Sequence, residues 1–66
     1  MTKEEAKQIA RKECAARGWS WVEPVNVHWG LFHYEVWTRA DSRGGNVIIS
    51  VLKKDGAIVY AGVTPC

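Results

Sequence analysis

At Gly18 the spacing of apolar residues changes from helical to alternating, and that switch constrains the fold more than any other feature of the chain. Before it, Ala6, Ile9, Ala10 and Cys14 recur on one helical face, while Lys3, Lys7, Gln8, Arg11 and Lys12 point mostly away. Thr2-Lys3-Glu4-Glu5 has the form of a capping box, so a helix is expected over about 3–17. Acidic residues open this helix and Arg11, Lys12 and Arg17 close it, as the helix dipole favours. Gly18 stands where a left-handed residue ends a helix.

After Gly18 the alternation predicts strands over about 22–29 and 32–39. A two-residue turn at Gly30-Leu31 would set Val25 opposite Val36, Val27 opposite Tyr34, and Trp29 opposite Phe32. All of these side chains would then share one face. Residues 40–45 (ADSRGG) read as a loop, and a third strand rich in β-branched residues is expected over about 46–53. Asp55-Gly56 is a strong hairpin turn signal, so a fourth strand returns over about 57–63 with Val51 opposite Tyr60. The fold class is therefore α+β: one N-terminal helix packed on a four-stranded antiparallel meander.

A chain of 66 residues has room for one domain and one core, because it buries only about 60% of the surface that its unfolded form exposes. Nine Lys and Arg are scattered among seven Asp and Glu, giving a net charge of +2. That is too small and too diffuse to suggest nucleic acid as a partner. The charged start MTKEEAKQ shows neither a signal peptide nor a transmembrane segment, so the expected location is the cytoplasm, without a membrane partner. Cys14 and Cys66 lack metal-site spacing; Cys14 reads as a buried small apolar residue and Cys66 as a free terminal thiol.

With this register Val47, Ile49, Val51, Ile58 and Tyr60 join the core face, and the helix covers it. The opposite face then carries Trp37, Ile48, Leu52, Val59 and Val63 beside Asn26, His28, His33, Glu35 and Ser50. An apolar patch of that extent approaches the upper limit for a monomer. The fourth strand, AIVYAGV, has neither charge nor proline, whereas Glu23 and Pro24 guard the first. Both features predict a homodimer, or a protein or peptide partner, held through the uncovered face or the last strand. Scattered aliphatics on a small monomer are the simpler explanation against which this stands.

The same register places His28 opposite His33 with Glu35 on the diagonal, a set that could bind a small ligand or share a metal ion. Cross-strand polar pairs are common, and a metal centre needs three or four oriented ligands, so no metal and no cofactor is expected. Cys14 lies on the apolar helix face, which argues against a reactive thiolate, and no other catalytic set is visible. Arg39, Asp41, Arg43, Gly44 and Gly45 could hold an anion, but the loop lacks the phosphate-binding pattern and a following helix. Trp29, assigned to the core, is unavailable as a stacking platform for bases. Trp19 and Trp21 have no evident place.

Ala6, Ile9 and Ala10 in the helix, Tyr34 and Val36 in an aromatic second strand, and Ile49, Val51, Gly56 and Val59 around the last turn resemble the PepSY and YpeB-like family of small cystatin-like domains. The resemblance spans most of the chain through hydrophobic spacing and one turn. It implies a non-catalytic binding or protease-inhibiting module and carries over no inhibitory residue.

Overall fold

The computed structural model describes residues 1–65. Its elements are α1 (Lys3–Ala16), β1 (Asn26–Trp29), β2 (His33–Trp37), β3 (Val47–Leu52) and β4 (Ile58–Val63). The strands form one antiparallel sheet in the order β1-β2-β3-β4, with α1 against one face. Each strand is shorter than its sequence pattern suggests, β1 most of all. The segment before β1 still runs beside the far end of β2, where Arg39 donates its amide to Val22 and Ala40 to Pro24.

Helix α1 begins with the expected capping box. The Glu5 amide donates to the Thr2 hydroxyl at 3.2 Å, and the Thr2 amide donates to the Glu5 carboxylate at 2.8 Å. It ends with paired reverse bonds, Trp19 amide to Cys14 carbonyl and Gly18 amide to Ala15 carbonyl, closed by Gly18 at φ +75. The last turn itself holds no basic residue; Arg17 is the C-cap, and its Nε donates to Glu13 at 2.6 Å.

Ala6, Ala10 and Cys14 are fully buried. Their small side chains let the helix axis approach the sheet, where Tyr34, Val36, Val47, Ile49 and Val51 complete the core. Burial of each large aliphatic in that layer contributes about 1.5–3 kcal/mol. Trp19, Trp21 and Val25 pack on its margin, and that closes the side of the core where the irregular segment 19–25 runs.

Two expected registers are corrected. In the first hairpin Val27 faces Val36 and Trp29 faces Tyr34, a slip of two residues from the expected pairing. The period of two keeps every side chain on its expected face. The chain reverses through residues 30–32, so Phe32 leaves the ladder and is exposed, and Trp29 is exposed instead of buried. In the second hairpin a bulge between Ser50 and Val51 sets Val51 opposite Ile58 and Ser50 opposite Tyr60. Tyr60 is thereby turned off the core face.

The far end of the sheet is organised by Asn46, which is buried. Its Nδ2 donates to the carbonyls of Thr38 at 2.7 Å and Arg39 at 2.8 Å, and its Oδ1 accepts from the Gly44 amide at 3.1 Å. The Thr38 hydroxyl accepts from the Val47 amide at 2.9 Å. These bonds satisfy backbone groups that the loop 39–45 leaves without ladder partners.

Candidate interaction surface

The face opposite α1 is a grid of cross-strand rows. Asn26, Trp37, Ile48 and Gly62 lie in one row; His28, Glu35, Ser50 and Tyr60 lie in the next. Ile48 is 9% exposed although α1 lies on the other side of the sheet. Trp37 is its neighbour on β2. On β4 the Tyr60 ring lies along Gly62, with its hydroxyl 2.6 Å from where a Cβ on that glycine would stand. Ile48 thus lies between Trp37 on β2 and Gly62 on β4, with the Tyr60 ring beside that glycine.

The five residues expected to form an apolar patch are therefore not equivalent. Trp37 and Leu52 are half-buried and Ile48 is buried, while Val59 is more than half exposed at the bulge. Val63 pairs with Val47, so its side chain belongs to the helix side of the sheet, near the edge, and not to the outer face. Tyr60 takes a place on the outer face that the sequence pattern assigned to the core, and it too is more than half exposed.

β4 forms one edge of the sheet, and its composition leaves that edge unguarded. The Thr64 amide donates to the Asn46 carbonyl at 2.9 Å, which fixes the phase of the ladder. By the alternation of antiparallel pairs, the backbone groups of Ala61 and Val63 point away from β3. They form a free row of donors and acceptors beside exposed apolar side chains.

His28 does not face His33. Its partner is Glu35, while His33 pairs with Leu52. Glu35 accepts from Trp37 Nε1 at 2.6 Å, and His28 stands edge-on to the Trp37 ring with centroids 5.8 Å apart. The carboxylate is thus engaged within the protein. Among the described residues, no group of three or more His, Cys, Asp or Glu is placed to hold a metal ion.

The glycine-rich loop directs its amides inward: Gly44 donates to Asn46 Oδ1 and Gly45 to the Thr64 carbonyl. Cys14 is buried, its Sγ donates to the Trp19 carbonyl at 3.4 Å, and burial raises its pKa. Neither group is presented for chemistry. Cys66 lies outside the described residues.

A second exposed apolar group was missed because it was assigned to core and turn. Trp29, Leu31 and Phe32 are 68%, 82% and 70% exposed at the β1–β2 tip. The Lys3 and Lys53 ammonium groups lie 5.4 and 5.0 Å from the Trp29 ring centroid.

These features define a one-helix, four-stranded antiparallel α+β domain with an open strand edge. No family model matches the chain, and no curated protein or solved structure matches it either. Among the described residues no helix is long and apolar enough to cross a membrane.

Proposed function

We propose that this chain is a non-enzymatic interaction module that self-associates by adding the β4 of a second copy to its own β4. One observation carries this reading: β4 lies at the sheet edge without charge or proline between Ile58 and Val63, with Val59, Tyr60 and Val63 exposed along it. Such an edge recruits a strand through main-chain bonds, while its side chains add apolar contact. The outer face contributes less than its composition suggests, because Ile48 is buried, Trp37 and Leu52 are half-buried, and Val63 lies on the helix side. The PepSY-like resemblance supports the same class of role, binding without catalysis.

Sedimentation velocity at micromolar concentration tests the proposal. The wild type is expected to be a dimer. Val63→Pro removes an outward-facing donor and leaves the bonds of Gly62 and Thr64 to β3 intact, so it should give a folded monomer. Val59→Lys should act in the same direction by placing charge on the edge. A wild-type monomer at that concentration would sink the reading.

A further inference from the structure

The β1–β2 tip is built for something that β4 does not explain. Three large apolar side chains, Trp29, Leu31 and Phe32, stand in solvent within four residues, on a convex turn instead of in a groove. The turn is held in place. The Gly30 amide donates to the His33 carbonyl at 2.8 Å, and the Lys53 amide donates to the Phe32 carbonyl at 2.9 Å. A Cβ on Gly30 would stand 2.7 Å from that His33 oxygen, so this close reversal requires glycine. Leu31 and Phe32 are therefore displayed by a fixed backbone.

The charges placed against the tip's aromatic ring are basic. Lys3 and Lys53 flank the Trp29 ring, and exposed Lys54 follows in the adjacent turn. The acidic groups of the flanking segments keep their charge but are held by local partners: Asp55 accepts from the Ala57 amide, Glu5 accepts from the Thr2 amide, and Glu4 lies 3.5 Å from Lys7. A rigid apolar point flanked at Trp29 by ammonium groups on long apolar stems matches the boundary of an anionic bilayer. There leucine and phenylalanine enter the acyl region, tryptophan lies at headgroup level, and lysines reach the phosphates. A protein pocket would need an acidic rim to meet the same cations, whereas an anionic bilayer supplies both features over its whole surface.

We propose that this tip docks peripherally on anionic phospholipid surfaces, inserting Leu31 and Phe32 with Trp29 at the interface and Lys3, Lys53 and Lys54 against the headgroups. The contact is superficial and spans nothing. It is independent of association through β4.

Co-sedimentation of the full chain with phosphatidylcholine vesicles containing phosphatidylglycerol, and with phosphatidylcholine alone, tests it. Binding is expected to the anionic vesicles and to weaken steeply with salt. Leu31→Ser with Phe32→Ser should reduce partitioning at least about tenfold while circular dichroism stays unchanged, because both side chains are already in solvent. Lys53→Gln with Lys54→Gln should reduce it on the order of tenfold for the anionic vesicles. Val63→Pro should bind as the wild type does, which separates this proposal from the edge-pairing one. It would be overturned by no binding to anionic vesicles, by equal binding to neutral ones, or by full binding of the Leu31→Ser, Phe32→Ser protein. A lipid-free change of oligomeric state caused by the tip substitutions would also overturn it, by making the tip a protein interface.

Discussion

Tyr60 lies across from Ser50, one place beyond the Val51 that a regular Asp55-Gly56 hairpin would give it, and its ring folds back along Gly62. This displacement takes the ring out of the core and lays it beside Gly62, the cross-strand partner of Ile48. It also sets up an asymmetry between two glycines that ordinary propensity would treat alike.

Gly62→Ala meets only the far end of the Tyr60 side chain, which can swing away, and alanine suits a strand better than glycine by about 0.5–1 kcal/mol. Gly30→Ala meets the His33 carbonyl, which cannot move without opening the turn, and should cost about 1–3 kcal/mol. Urea midpoints should therefore stay level or rise for the first and fall for the second.

Asn46→Ala removes the donor shared by the Thr38 and Arg39 carbonyls and the acceptor of the Gly44 amide. Leaving such groups unsatisfied inside the protein costs about 1–3 kcal/mol each, less whatever water recovers. A drop in unfolding free energy above about 2 kcal/mol is expected by denaturant titration. Asn46→Asp should be no better, since its carboxylate would oppose the same two carbonyls.

The capping box gives a pH signature. Thr2, first through its amide and then through its hydroxyl, holds the Glu5 carboxyl below its ordinary value. A carboxyl depressed in the folded state stabilises above its unfolded pKa, and the contribution disappears as pH falls through the folded value. Glu5→Gln should therefore lower the melting temperature at neutral pH, and the gap to wild type should close on acidification. Thr2→Ala should cost about 1 kcal/mol at neutral pH.

Cys14 should resist alkylation in the native protein, because burial raises its pKa and leaves little thiolate to react. Peptide mapping after iodoacetamide treatment should show Cys14 modified only in denaturant. Rapid native modification would contradict its place between α1 and the sheet.

Which parts of this molecule could be read from its residues follows from how each signal is encoded. The capping box at Thr2 and Glu5 and the stop at Gly18 are local chemistry, and both appear where the residues place them. Face assignment in the first hairpin survived a wrong register, because a slip of two residues preserves parity: Val27 and Val36 remain on the core side. The bulge at Ser50 has no such protection. It inserts one residue, Val59, without a marker glycine, so parity downstream reverses for Tyr60 and Val63. Exposure at the tip was hidden for another reason. Alternation says that Trp29 points toward the core side, but its position beside the turn leaves the ring 68% exposed, with the Lys3 and Lys53 ammonium groups near it. Asn46 looked like an ordinary strand opening, since its role depends on the carbonyls of Thr38 and Arg39, which are distant in sequence.

The meander places the turn at Gly30–Phe32 at the same end of the sheet as Asp55-Gly56, with β4 running back from there. A second copy joined antiparallel along β4 would be rotated end for end, so the two lysine-flanked points would face opposite directions. Such a pair could rest on one flat layer through only one of them, and its natural geometry is that of a bridge between two apposed layers.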